Sequence, residues 1–199
     1  MSNQKNVPII VGVGQVVDHW DGRDPSQAPS PICLATESIE RALADTGNSD
    51  LQNDMDILAV VRSFTDSLRS SFDPFGKAAN FPAAIAQAAE IKPQQIIYSP
   101  AGGEQPQSLV NELSQAIANG DIRTAMIVGS EANAALKTAL KRSVKLDWAS
   151  DVSAEIQDRG PQTDFISAYE IANGMGLPPQ TYAAMEEALR ARLDMTKSE

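Results

Sequence analysis

Tyr98-Ser99-Pro100-Ala101-Gly102-Gly103-Glu104-Gln105-Pro106-Gln107-Ser108 carries the chain from a short apolar strand into an amphipathic helix through a glycine-rich turn. Before the turn, Gln94 to Ser99 (QQIIYS) is a short apolar run of strand length. After it, Leu109, Val110, Leu113, Ala116 and Ile117 recur at helical spacing over Gln105 to Asn119, and Gly120 sits where a helix ends in the left-handed conformation. A strand that turns tightly into a helix is the repeating unit of α/β proteins.

The same alternation extends to either side. Val7 to Val17 (VPIIVGVGQVV) is rich in β-branched residues and reads as a buried strand. A proline-bearing loop follows, and Ser30-Pro31 supplies an N-cap and a favoured first helical residue for a helix to Asp45 that Gly47 stops. Met55 to Phe64 reads as a second strand, Asp66 to Ala79 as an excursion without an element, and Phe81 to Glu90 as a helix. Ile122 to Gly129 is the fourth strand. This order predicts an α/β fold with right-handed crossovers and a mostly parallel sheet flanked by helices.

Beyond Glu131 the rhythm stops. Ala132 to Leu146 is helical and basic, Asp147 to Pro161 is polar, Thr163 to Met175 and Gln180 to Leu193 read as helices, and Leu177-Pro178-Pro179 separates them. The expected organisation is an α/β domain over residues 1–131 and a helical appendage over 132–199, with no further strand.

Composition narrows the function classes. Sixteen basic against 26 acidic side chains give a formal charge of −10 over 199 residues, which argues against a nucleic-acid binder. One cysteine, Cys33, leaves no intramolecular disulfide and no basis for a cysteine metal site. No apolar run reaches the length of a membrane span, and Met1-Ser2-Asn3-Gln4-Lys5 lacks the layout of a signal peptide, so a cytoplasmic protein is expected.

Most candidate motifs have ordinary readings. Gly12-Val13-Gly14 begins a dinucleotide fingerprint, but Val17 stands where its third glycine belongs and no helix opens there, so the glycines read as a close backbone approach. His19, the only histidine, reads as a surface residue, and Cys33 as a small packing residue rather than a nucleophile. Asp18, Asp21 and Asp24 are spaced like cation ligands but lack the glycine and closing glutamate of a calcium loop. The turn Gly102, Gly103, Glu104, Gln105 is the candidate active-site turn. Its glycines permit positive φ, and the unpaired N–H groups of the following helix end favour an anion. The turn also has a plain reading, as a tight strand-to-helix connection, and Glu104 itself competes for that helix end.

Several segments, in order, resemble the thiolase family. Val7-Pro8-Ile9-Ile10-Val11-Gly12-Val13-Gly14-Gln15 is similar to the family's first strand, and Gly102 to Glu112 (GGEQPQSLVNE) to its nucleophile turn and helix. Ile117-Ala118-Asn119-Gly120-Asp121, leading to Val128-Gly129-Ser130-Glu131-Ala132, resembles the next strand with its Gly-x-Glu, and the Leu177-Pro178 and Tyr182 to Arg190 stretch resembles the loop domain of the thiolase-like subgroup. The likeness is to the N-terminal half of sterol-carrier-protein-type thiolases and thiolase-like proteins of acetyl-CoA acetyltransferase type.

The resemblance implies acyl-CoA thioesters as substrates, no separate cofactor, and Claisen condensation or its thiolytic reverse. It also places the nucleophilic cysteine's position at Gly103, where there is no side chain to form an acyl-enzyme. The basic residues Lys137, Lys141, Arg142 and Lys145 are candidate contacts for the CoA phosphates, with a solvated helix face as the plain reading. The family's remaining catalytic residues lie in a C-terminal half not represented in these 199 residues, which implies a fragment or a subunit completed by a partner chain. By resemblance a homodimer forms through the strand at 94–99. Two rivals stand beside this reading: a non-catalytic subunit that binds acyl-CoA or scaffolds a partner, and an unrelated α/β binding domain.

Overall fold

The structure is a computed structural model and describes residues 6–67, 73–160, 167–176 and 178–196. The polar N-terminus at 1–5, residues 68–72 of the excursion, 163–166 of the predicted helix and Leu177 of the break lie outside the described residues. Two compact units divide the chain at residues 161 and 162, so the helix after Glu131 and the polar segment following it belong to the first unit.

The first unit is built on a sheet of four parallel strands in the order β3-β1-β2-β4. Its elements in chain order are α1 (Pro31–Thr46), β1 (Ile57–Val60), α2 (Phe64–Ser67), α3 (Phe81–Ala88), β2 (Gln95–Tyr98), α4 (Gln105–Asn119), β3 (Ala125–Val128), α5 (Asn133–Arg142) and β4 (Gln157–Asp158). The second unit holds α6 (Ala168–Ala172) and α7 (Pro178–Arg192). Among the described residues no helix is long and apolar enough to cross a membrane.

Strand alternation sorts the core into two layers. Leu58, Val60, Ile96 and Tyr98 face α1 and α3, packing with Ala35, Ile39 and Ile85. Ile57, Ala59 and Ile97 face the other way, onto Leu109 and Leu113 of α4. The side chains of the central strand β1 are buried on both faces, as expected of a parallel strand between helix layers. The helix ends follow the sequence signals. Ser30 Oγ accepts from Cys33 N at 3.0 Å, Gly47 caps α1 at φ 66°, and Gly120 caps α4 at φ 83°. Asp56 fixes the start of the sheet: its carboxylate accepts the N–H groups of Arg123 at 2.6 Å and Thr124 at 3.0 Å and the amide of Gln94 at 2.7 Å.

Three expectations are corrected. Val7 to Val17 is not a buried strand: it pairs with none of the strands, and Val7, Ile9 and Ile10 are 79, 73 and 80% exposed. It lies instead against α1. A Cβ on Gly12 would stand 2.3 Å from the Ala42 carbonyl oxygen, and one on Gly14 2.1 Å from that of Ser38, so only glycines allow the contact. A strand does follow Glu131, because β4 pairs Gln157 and Asp158 with Ile97 and Tyr98. For the same reason the strand at 94–99 does not offer a free edge along its length; a dimer formed there by strand pairing would have to displace β4. Cys33 is exposed rather than packed.

Candidate functional site

The C-terminal ends of β1 and β2 converge on Arg62. Arg62 follows an apolar strand and is buried, so its charge requires partners. Its N–H donates to Ser99 Oγ at 3.0 Å, and its Nε to the Ser99 carbonyl at 2.9 Å. The guanidinium also pairs with Asp158 of β4 and lies 3.9 Å from the centroid of the Tyr98 ring. Ser99 is fully buried, and its hydroxyl donates in turn to the Pro100 carbonyl at 2.7 Å. Arg62 therefore holds the first residues of the glycine turn, the end of β2 and the edge strand in one network.

Tyr98 extends that network. Its hydroxyl donates to Asp66 at 2.7 Å, and Asp66 also receives Lys77 Nζ at 3.2 Å. Burial, with Asp66 second, raises the Tyr98 phenol well above its ordinary value, so it remains a hydrogen-bond donor. Beside it a small cavity of about 60 Å³ opens between Ser63, Asp66, Phe75, Glu131, Leu136 and Trp148. Phe75 and Trp148 meet edge to face at 5.5 Å and form its apolar wall. Glu131 Oε1 accepts the Phe64 N–H at 2.6 Å. Although Glu131 retains solvent access, loss of part of its hydration raises its carboxyl above the ordinary value, with Asp66 adding to the effect. The arrangement places two carboxylates, Asp66 and Glu131, beside a mostly apolar cleft at the C-terminal edge of a parallel sheet, where open α/β sheets bind ligands, while the Tyr98 phenol stays behind Asp66.

The glycine turn lies at the same edge, after β2. Gln105 N donates to the Gly102 carbonyl at 3.2 Å and Ser108 N to that of Glu104 at 3.0 Å, which starts α4. Glu104 folds back over the turn. Its carboxylate accepts from Gln105 Nε2 at 2.9 Å, and a Cβ on Gly102 would meet its oxygens at 2.4 Å. Its own backbone N–H, then Gln105, hold its carboxyl below the ordinary range. The residue at the N-cap of α4 is thus acidic, although its carboxylate makes no capping hydrogen bond to the helix. Gly103 differs from its neighbour. A Cβ there would meet no atom within 4 Å.

The basic candidates are not joined to this turn. Lys137, Lys141 and Arg142 lie on α5, Lys145 follows it, and all four are exposed. Cations in the last turn of a helix are favoured by its dipole, which accounts for Lys141 and Arg142 without a ligand. The Arg142 stem packs over Gly22, where a Cβ would stand 2.4 Å from Cδ. Lys137, Lys141 and Lys145 form no ion pair with any described residue.

His19 is exposed. Cys33, exposed as a residue, has its thiol raised by loss of part of its hydration and by Glu37, Asp18 and Glu40, the opposite of an activated thiolate. Asp21 and Asp24 spend their carboxylates on local turns, accepting from Arg23 N and Ser26 N. No group of residues suited to holding a metal ion occurs among the described residues. Sequence reasoning missed Arg62, Tyr98 and Asp158. The one signal was an arginine directly after an apolar strand, which had to be either exposed or paired.

No protein-family model matches the chain, and no curated protein matches it. Among solved structures it is similar to the crystal structure of a monomeric SCP2-thiolase like protein type 1 from Mycobacterium smegmatis, at 28% sequence identity and a TM-score of 0.49. The match covers 64% of this chain and 24% of that chain, so the likeness spans about a quarter of that protein.

Proposed function

We propose that this chain is a thiolase-like protein that binds acyl-CoA and does not form an acyl-enzyme through its glycine turn. The ordered sequence segments support the thiolase-like reading. The observation that carries the loss of covalent chemistry is Gly103, which has room for a side chain and lacks one. Covalent acyl transfer needs a nucleophilic atom at that point of the turn, and the nearest carboxylate, that of Glu104, accepts from the Gln105 side-chain amide at 2.9 Å. Thioester binding would use the C-terminal edge of the sheet, with the exposed lysines Lys137, Lys141 and Lys145 in reach of phosphate groups from solvent.

Calorimetric titration with CoA tests the reading, with Lys141→Glu as the control. Heat of binding in the parent that weakens at least threefold in Lys141→Glu supports it; no heat in either protein sinks it. Purified chain should leave acetoacetyl-CoA uncleaved, and measurable thiolysis would refute the assignment of Gly103. A scaffolding role without CoA is the second reading. It is favoured by the engagement of the turn's neighbours with the chain's own side chains, Glu104 with Gln105 and Ser99 with Arg62.

A further inference from the structure

The cleft beside Asp66 has walls that the chain's own hydrogen bonds hold in place. Trp148 N donates to the Phe75 carbonyl at 2.8 Å and Ala79 N to that of Ser150 at 2.7 Å, so the segment after α5 is zipped to the segment before α3. These bonds fix the Phe75–Trp148 ring pair, and the buried Phe81 ring adds to the same lining. Ser130 Oγ donates to the Pro31 carbonyl at 2.7 Å, which ties the start of α1, also part of the lining, to the residue before Glu131. Into this aromatic frame the chain brings three carboxylates, Asp66, Asp73 and Glu131, against one ammonium among the described residues, that of Lys77. Lys77 Nζ stands 3.2 Å from Asp66 and 3.8 Å from Asp73. Glu131 forms no ion pair with any described residue. Its Oε1 accepts the Phe64 N–H, and no described residue donates to its Oε2. Lost hydration, with Asp66 adding to it, raises the Glu131 carboxyl, so a cation arriving there would relieve both carboxylates.

We infer that this cleft binds the ammonium of a small primary alkylamine, with the charge at Glu131 and Asp66 and a short alkyl chain against Phe75, Phe81 and Trp148. Charge makes the first selection. Three carboxylates against one ammonium attract a cation and repel an anion, the phosphates of CoA included. Hydrogen bonding makes the second. Glu131 Oε2 needs a donor, and a primary ammonium carries three, whereas a quaternary one carries none. The wall makes the third. Aromatic rings favour an organic cation, whose alkyl part they also bury, over a bare metal ion that would leave them unused. The inference stands on this cleft alone and does not rest on the CoA reading, which concerns the glycine turn and the exposed lysines.

The probe is propylammonium chloride, titrated into the Trp20→Phe protein, in which Trp148 is the one tryptophan left. Potassium chloride holds the ionic strength constant. A saturable change in Trp148 emission is expected in the millimolar range, because so small a ligand binds weakly even when well placed. Propionate and 1-propanol, similar in size but without the positive charge, should bind at least tenfold more weakly. Glu131→Gln keeps an acceptor for the Phe64 N–H and removes the charge, and should weaken binding at least fivefold. Lys77→Met removes the competing ammonium and should strengthen binding at least threefold, a gain that damage to the fold would not produce. Nα-acetyl-lysine methylamide presents the same ammonium on a longer stem. Weaker binding than propylammonium is expected, and tighter binding would overturn the free amine in favour of a lysine side chain. Absence of a saturable response overturns the inference, as does an equal response to 1-propanol. So does unchanged affinity in either variant with a native circular dichroism spectrum.

Discussion

Arg62 and Ser99 hold each other twice at the C-terminal edge of the sheet, through backbone N–H to hydroxyl at 3.0 Å and Nε to carbonyl at 2.9 Å. The two residues are 37 positions apart and both are buried. Because the same guanidinium reaches Asp158, removing it should free β4 as well as the turn. Arg62→Met keeps much of the stem and its packing but leaves the Ser99 carbonyl without that donor. The expected loss is roughly 2–4 kcal/mol in urea unfolding, in the range of a charged hydrogen-bond donor lost from a buried site. The Arg159 amide, which donates to the Tyr98 carbonyl at 3.0 Å, should exchange at least tenfold faster. A variant as stable as the parent, with Arg159 still protected, would show that Arg62 does not anchor the edge.

Asp56 sets a pH dependence with a definite sign. The N–H groups of Arg123 and Thr124 hold its carboxyl below the ordinary value of 3.8. A depressed folded value means that the ionised form is the one stabilised by folding. Its contribution is complete above the unfolded value and is lost as pH falls from about 4 through the lower folded value. Asp56→Asn should therefore cost roughly 1.5–3 kcal/mol at pH 7 and much less near pH 2. Chemical denaturation at both pH values measures this. Equal costs at the two pH values would remove the charge from the explanation.

Gly103 should tolerate a side chain. Its φ is not in the left-handed region, and the space beyond its α-carbon is open. In a Cys33→Ser background, Gly103→Cys is expected to unfold within about 1 kcal/mol of its parent, because no atom must move and the unfolded chain loses freedom. Its thiol should react fully with iodoacetamide in the folded protein, read as one added mass. Protection of that thiol would mean that the turn is closed where the structure shows it open. Restored reactivity is not expected to restore thiolysis.

The strands legible in the sequence are those whose burial leaves a mark. Ile57 to Val60 and Ile96 to Tyr98 are apolar because helices cover both faces, and continuous apolar runs report that; Ala125 to Val128 carries the same run although it is half-buried except at Val128. Val7 to Val13 has the same composition and a different fate, since composition states a preference for extended backbone but does not choose its neighbour. Here the neighbour is helix α1, reached through Gly12 and Gly14, which read correctly as a close approach. Gln157-Asp158 carries no apolar signal. It becomes a strand because Arg62 draws Asp158 to the edge across 96 positions. The glycine turn was visible because its chemistry is local, whereas the network that holds it joins residues far apart in the chain.

Gly14 gives the sharpest test of the N-terminal segment. Its α-carbon lies so close to α1 that a methyl group would meet the Ser38 carbonyl oxygen at 2.1 Å and the Ala42 nitrogen at 2.6 Å. Both are backbone atoms of a helix, so neither can turn aside as a flexible side chain would. In Gly14→Ala the segment must lift away, and the contacts on either side depend on that closeness. Val13 N donates to Asp45 at 2.9 Å, and Arg41 Nη1 donates to the Gln15 carbonyl at 2.8 Å. Overpacking of this kind costs roughly 1–3 kcal/mol. Because the segment lies outside the sheet, the damage should stay local: Val13 loses amide protection while Leu58 and Ala59 of the central strand keep theirs. Cleavage by a nonspecific protease within residues 7–17 should quicken by at least tenfold. Unchanged exchange at Val13 would mean that the segment does not lie on α1.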